Sequence, residues 1–353
     1  MAASAMAASG VCLGCGEPVR AGDSFCESCG AELAPLSVSD GRGGGPRACE
    51  ICPASHISAD GYCESCGRKV RSGRDHQEID LRMVAGVTDR GLRHYRNEDA
   101  MALATADTGN GPAVVAVVCD GVSTSAHADQ ASLAAVRGGA DVLLAAVRTG
   151  GDPLAASRAA VRAAADAVAR LVVPKGDLPS STFVSAVLQS DAVTVCWLGD
   201  SRAYWLADRA SAAEQLTRDD SVAEEMVADG LLSEADALAS AQSHVVTRWI
   251  GADVTDPAPH VVHFEPPGPG AVLLCSDGLW NYRPEPAKLA ELALLPASAD
   301  LLGAVRALVG FALEAGGMDN VTAVLAPFPP LGLPSPDRCR RRAVSPDLRR
   351  MHR

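Results

Sequence analysis

The chain has 353 residues, 48% of them hydrophobic and 21% charged, with a formal net charge of -12. That length exceeds what one small core requires, so a sizeable domain with an appended module is expected. The acidity argues against a general nucleic-acid binder. No apolar run approaches the roughly eighteen residues of a spanning helix, and "MAASAMAASG" lacks the basic start and long apolar core of a secretory signal, so a soluble, cytoplasmic protein is expected.

Eight of the twelve cysteines fall within the first 66 residues. Cys12, Cys15, Cys26 and Cys29 read C-x2-C-x10-C-x2-C, and Cys49, Cys52, Cys63 and Cys66 repeat that spacing 37 residues later, with "FCESCG" in register with "YCESCG". A C-x2-C turn lets two thiolates reach one metal, and two such turns complete a tetrahedral S4 site. Each half is too small to bury a core, so the metal would supply most of its folding free energy. Zinc is expected, with iron in the same geometry or disulfides as the other readings. The pair resembles a double zinc ribbon over residues 10–70, which implies two structural Zn²⁺ and an interaction module for an unknown protein partner. Between the repeats "SVSDGRGGGPRA" reads as a flexible linker, and residues 71–79 read as a hinge.

Further along, short runs rich in valine and leucine at 113–119, 183–188, 193–198, 203–206, 271–275 and 321–326 predict buried strands. Alanine-rich stretches at 128–148 and 153–173 predict helices, the second with Leu154, Val161, Ala165, Val168 and Leu171 at helical spacing. Strands, then long helices, then strands again predict an α+β layered sandwich. Gly199 to Arg202, "GDSR", predicts a hairpin turn. Cys119, Cys196 and Cys275 fall inside strands and read as core, while Cys339 reads as a free thiol. The end of the chain, residues 329–353, holds seven arginines against two aspartates from Asp337 on and reads as a basic, solvated and disordered tail.

Three strands break on carboxylates. Asp120 and Gly121 close "AVVAVVCDG", Asp277 closes "AVLLCSDG", Asp319 and Asn320 precede the strand in "MDNVTAVLA", and "RNEDA" adds Glu98 and Asp99. Singly, each aspartate reads as a turn or cap residue. Together they form a hard-oxygen set without histidine or cysteine in the motifs, which suits Mg²⁺ or Mn²⁺ better than zinc. Without cations such groups repel one another and stay partly protonated. Two divalent ions bridged by a carboxylate would lower the pKa of a shared water, hold it as hydroxide and orient a phosphate for in-line attack. No side-chain nucleophile is then needed, and the motifs contain no Cys-x5-Arg loop, G-x-S-x-G elbow or P-loop lysine.

"RNEDA", "VVCDG", "STFVSAVL", "WLGDSRAYWL", "LTRDDSVAEEMVADG", "LLCSDGLW" and "GGMDNVTAVL", in that order, resemble the metal-dependent protein serine/threonine phosphatases of the PP2C family, bacterial type, over residues 80–328. The resemblance implies a four-layer αββα sandwich of two antiparallel sheets flanked by helices, preceded here by two small zinc ribbons, with two Mn²⁺ or Mg²⁺ in a cleft at one edge. It implies that Asp120 bridges both ions, that the Gly121 carbonyl binds one, that Asp277 and Asp319 complete the shell of the second ion, and that Glu98 and Asp99 hold that second ion directly or through water. Asp177 falls where a weaker third ion is held, Asn320 orients its end of the site, Asp200 fixes its turn, and Arg218 to Val246 forms a flap beside the cleft. Phosphorylated proteins, the products of serine/threonine kinases, are the implied substrates.

The chain also departs from the family pattern. His94 stands where an arginine usually grips the substrate phosphate; Arg93 and Arg96 flank it, and either guanidinium can take that role. His94 itself reads as an exposed turn residue or as a general acid for the leaving alkoxide. "VSTSAHAD" replaces a glycine pair after Gly121, and Ser181-Thr182 replaces a glycine-threonine turn. The expected function is hydrolysis of phosphoserine and phosphothreonine, with the ribbons recruiting partners. The alternative is a catalytically weak phosphopeptide-binding or scaffolding protein. A nucleic-acid role for the ribbons is disfavoured by how few aromatic and basic residues lie between their cysteines.

Overall fold

The computed structural model describes residues 10, 11, 17–19, 27, 28, 36–41, 52, 58, 62–67, 73–189, 191–207, 212–233, 236, 237, 240, 245–297 and 300–330. Its main elements run β1 (Ser37–Val38), β2 (His76–Asp80), β3 (Ala85–Asp89), β4 (Ala100–Thr108), β5 (Gly111–Cys119), α1 (Ala128–Thr149), α2 (Pro153–Ala169), β6 (Phe183–Leu188) and β7 (Val193–Leu198). They continue as β8 (Arg202–Ala207), α3 (Val222–Ala228), β9 (His260–Phe264), β10 (Gly270–Cys275), α4 (Asp277–Trp280), α5 (Pro286–Ala297), α6 (Leu301–Glu314) and β11 (Val321–Phe328).

Two six-stranded sheets result, with every neighbouring pair antiparallel. One is ordered β9-β7-β6-β5-β4-β1. The other runs from a short strand at Glu214–Gln215 through β8, β10, β11 and β3 to β2. In β5 the period-two geometry sends Val114, Ala116 and Val118 between the sheets, where they meet Val184, Trp205, Leu274 and Val324. Val115, Val117 and Cys119 point the other way, under Leu143 of α1 and Val161 of α2. The outer face of the second sheet, with Leu273 and Leu325, is covered by Leu289 of α5 and Leu308 of α6. Because both faces of the central strands are buried, their sequences are continuous apolar runs and not alternating ones.

α1 is long and apolar enough to cross a membrane by length and composition, although no single run in the sequence suggested it, and half of its most apolar stretch is buried against the sheet. α2 begins at Asp152, whose carboxylate accepts from the Leu154 and Ala155 amides. It stops at Ala169, four residues short of the prediction; Pro174 disfavours helix in the residue before it, and Val172 is fully exposed with nothing to pack on.

Three expectations need correction. Gly199 to Arg202 is not a hairpin turn, because β7 belongs to the first sheet and β8 to the second; the segment carries the chain across the sandwich. The linker between the cysteine repeats is not wholly flexible, since Ser37 and Val38 pair with Leu103 and Ala102 as the edge strand β1. The segment read as a hinge likewise supplies β2. Of the ribbons, Gly10–Val11 pairs with Pro18–Val19, and the Sγ atoms of Cys52, Cys63 and Cys66 lie within 4.8 Å of one another. Cys12, Cys15, Cys26, Cys29, Cys49, Cys339 and the basic tail beyond residue 330 lie outside the described residues.

Candidate active site

Strand ends deliver the carboxylates. β5 ends at Asp120, β10 leads into α4 at Asp277, β11 is preceded by Asp319, β4 by Glu98 and Asp99, and the crossover between the sheets brings Asp200. Asp120, Asp200, Asp277 and Asp319, with Asp177 and Asp253, line a cleft of about 900 Å³, and Asp99 is buried next to Asp120 and Asp319. Gly121 must be a glycine: a Cβ there would lie 2.6 Å from the Ala128 carbonyl oxygen at the first turn of α1.

Around each carboxylate the backbone is held. The Thr182 hydroxyl accepts from the Asp120 amide at 2.9 Å, and the Ser181 hydroxyl donates to the Asp120 carbonyl at 2.9 Å. The Ser181-Thr182 turn therefore holds Asp120 by its hydroxyls. Asn320 takes the Glu98 amide on its Oδ1 at 2.7 Å and donates through Nδ2 to the Arg90 and Arg96 carbonyls at 2.7 and 3.1 Å, joining the loop before β4 to the start of β11. The Asp99 carboxylate accepts from the Ser276 and Thr322 hydroxyls, both at 2.7 Å, on Oδ2, while its Oδ1 is buried with no hydrogen-bond partner.

Electrostatics follow from this crowding. Burial, with Asp319 as a nearby like charge, pushes Asp99 up to about 6. Burial and the charge of Asp219 push Asp200 up to about 7. Asp120 and Asp277 are driven well above the usual carboxylate range by burial first and then by the surrounding aspartates. Glu98, half-buried, is raised mainly by burial.

Such a set is a poor fit to protons alone. A buried carboxylate oxygen without a donor, inside a ring of mutually repelling carboxylates, has the donor chemistry of a hard divalent cation site.

The other expected residues are placed as follows. His94 Nε2 lies 3.1 Å from Asp319 Oδ1, at the cleft. Arg96 is exposed and reaches Asp129 of α1 at 3.4 Å, and Arg93 is exposed; among the described residues no arginine or lysine lines the cleft. Asp177 lines the cleft and contacts His127 Nε2 at 3.1 Å. His127 belongs to the loop after Gly121 and has a left-handed backbone, φ 59°, at the N-cap of α1. Val122 to Ala126 of that loop form part of the cleft lining, and the Val122 amide donates to the Ser180 carbonyl at 3.1 Å. Of the flap stretch, α3 is capped by Ser221, and Val245 and Val246 line the cleft. Asp200 was read as a turn residue, yet its carboxyl lies among the others; the same break from apolar strand to carboxylate, "VCWLGD" beside "VVCDG", was the signal available. Asp253 carried no such signal.

No protein-family model matches the chain. It is 30% identical over 250 residues to the serine/threonine protein phosphatase PstP of Mycobacterium tuberculosis, covering 69% of this chain and 44% of PstP. The chain thus spans less than half the length of that relative. It is 29% identical over 244 residues to the serine/threonine phosphatase stp of Listeria monocytogenes, 67% of this chain and 92% of stp. Among solved structures it is similar to the PPM Ser-Thr phosphatase MsPP of Mycobacterium smegmatis in complex with cacodylate, at TM-score 0.54, 27% identity and 70% and 99% coverage. It is similar also to the catalytic domain of PstP in complex with two manganese ions, at TM-score 0.54, 27% identity and 69% and 97% coverage. In sequence and fold, the two-sheet domain is similar to the catalytic domains of these protein serine/threonine phosphatases.

Proposed function

We propose that the protein is a metal-dependent phosphatase that hydrolyses phosphoserine and phosphothreonine in proteins phosphorylated by serine/threonine kinases, working in the cytoplasm. The observation that carries this is the convergence of Asp99, Asp120, Asp277 and Asp319 on one cleft, with Asp99 Oδ1 buried and without a partner. Asp120, the Gly121 carbonyl, Asp277, Asp319, Asp99 and Glu98 would hold two Mn²⁺ or Mg²⁺, with Asp177 toward a weaker third once His127 is displaced. When bound, these cations supply an activated water and neutralise the phosphate oxygens.

The chain's own residues do the rest. Ser181 and Thr182 fix Asp120 through its backbone, and Asn320 fixes the loop carrying Glu98. His94, whose Nε2 faces Asp319, would act as the general acid for the leaving alkoxide. Arg93, exposed beside His94, is the guanidinium left to grip a phosphate, since Arg96 is directed at Asp129. The cysteine repeats are read as two zinc ribbons that recruit a protein partner. The gathered thiols of Cys52, Cys63 and Cys66 support a tetrahedral metal site in the second repeat.

The test is hydrolysis of a phosphothreonine peptide by the full chain with Mn²⁺, with EDTA, and by Asp277→Ala. Turnover that needs metal and disappears in the variant is expected. Tight peptide binding without turnover in the Mn²⁺-loaded protein would replace this reading with a phosphopeptide-binding module.

A further inference from the structure

The chain on either side of the second cysteine repeat forms a closed neck against the metal-binding edge. Before the repeat, the Ser39 amide donates to the Met101 carbonyl at 3.0 Å, and the Met101 amide donates to the Ser39 hydroxyl at 2.8 Å. Leu36 and Val38 pack on the core beneath α1, and Asp40 takes Arg137 of that helix at 2.6 Å. After the repeat, Arg74 donates to the Asp129 carbonyl at 3.0 Å, and the Arg74 carbonyl accepts from Asn97 Nδ2 at 3.2 Å. The two arms touch. The Gly41 amide donates to Gln77 Oε1 at 3.1 Å, and a Cβ on Gly41, whose φ is +77°, would lie 2.8 Å from Arg74 Cγ.

These arms end on the segment that carries Glu98 and Asp99. Asn97 Nδ2 also donates to the Thr88 hydroxyl at 2.8 Å, Thr88 bonds Thr322 at 2.7 Å, and Thr322 donates to Asp99 Oδ2. Asn97 Oδ1 accepts from the Asp99 amide at 3.2 Å. On the other side of Asp99, Met101 is held at the sheet edge by Ser39, which is 2% exposed. β4 is the outermost strand of its sheet apart from β1, and the two grips add to its pairing with β5 and to the bonds from Asn320, Ser276 and Thr322 at Glu98 and Asp99.

We infer that Ser39 and Arg74 are positioning residues for the Glu98–Asp99 segment, so that the neck of the second cysteine repeat sets the geometry of the cation site. The inference rests on the reading of Glu98 and Asp99 as cation ligands.

The experiment is calorimetric titration of MnCl₂ into the full chain, comparing wild type, Ser39→Ala and Ser157→Ala. Ser157 is buried in α2, where its hydroxyl donates to the Pro153 carbonyl, so its loss is a control for a deleted buried hydroxyl outside the neck. Losing one acceptor at Met101 should weaken Mn²⁺ binding about fivefold in Ser39→Ala. Ser157→Ala should bind as wild type does, although both variants lower the metal-free melting midpoint. Equal Mn²⁺ affinity in Ser39→Ala and wild type, or equal weakening in both variants, overturns the inference. A wild-type chain that takes up no Mn²⁺ overturns the phosphatase reading, and this inference with it.

Discussion

Two buried groups of charge meet at Trp280 and are handled in opposite ways. Arg202, whose guanidinium lies 3.6 Å over the Trp280 ring, makes a two-pronged contact with Asp219, Nε to Oδ1 at 3.0 Å and Nη2 to Oδ2 at 2.8 Å, and also reaches the Tyr204 hydroxyl at 3.3 Å. Asp200, two residues earlier, has its carbonyl bound by Trp280 Nε1 at 3.0 Å, but its carboxyl faces Asp120, Asp277 and Asp319, with no arginine or lysine among the described lining residues. The first cluster carries its counter-charge within the chain, which makes it architecture. The second has no arginine or lysine among its described lining residues, the pattern expected of the proposed cation site.

The strongest way to break that contrast is Asp277→Ala. If the cleft holds catalytic cations, turnover on a phosphothreonine peptide falls by at least about a thousandfold. Metal-free stability in urea should not fall, because one of the repelling carboxylates is gone. A variant that loses stability and keeps its rate would put the cleft in the same class as the Arg202 cluster. Arg202→Met is the counterpart. It strands a buried Asp219 and should cost about 3–5 kcal/mol in urea unfolding. A loss under about 1 kcal/mol would mean that Arg202 and Asp219 do not form a closed unit.

Acidity separates the clusters more gently. In the metal-free protein Asp99, raised from 3.8 to about 6, and Asp200, raised from 3.8 to about 7, bind protons more tightly folded than unfolded. The stability they contribute is fully present below their unfolded pKa values and is lost as pH rises through about 6 to 7, up to roughly 3 kcal/mol for the two-unit shift of Asp99. His76, raised by its hydrogen bond to Asp89, acts in the same direction, so the comparison that isolates the cleft is with and without Mn²⁺. Urea midpoints at pH 5 and pH 8 should differ in EDTA and converge in Mn²⁺. An unchanged difference on adding Mn²⁺ would assign the effect to residues outside the cleft.

The sandwich was legible where burial on both faces writes a continuous apolar run, as in β5, β6, β7, β10 and β11. It was illegible at β2, "HQEID", an edge strand of mostly polar residues, and at β1, where two residues cannot show a period. Aspartates 120, 277 and 319 could be found because each interrupts an apolar strand. Asp200 follows an apolar strand in the same way, but "GDSR" also reads as ordinary turn chemistry, and the switch from one sheet to the other that sets it apart is a property of long-range pairing. The same limit applied to the arginines: the family resemblance offered Arg93 and Arg96 equally for a phosphate, but only the packing of α1 directs Arg96 to Asp129.

The smallest effect lies at the rim of the cleft, where the polar pair of His127 and Asp177 is neither closed nor buried. His127 meets Asp177 at 3.1 Å, with their side chains 30% and 33% exposed, so solvent screening holds the pair to at most about 1 kcal/mol. His127 also occupies a left-handed backbone conformation, which costs a residue with a Cβ about 1 kcal/mol relative to glycine. In His127→Gly the two terms oppose each other, and the urea midpoint should move by no more than roughly 0.5 kcal/mol in either direction. Asp177 would then be released toward the cleft, and its freedom should register as tighter uptake of a further Mn²⁺ in calorimetry. A large loss of stability would show that this histidine closes the loop after Gly121 as firmly as Arg202 closes its own cluster, and the rim would then belong with the architecture and not with the site.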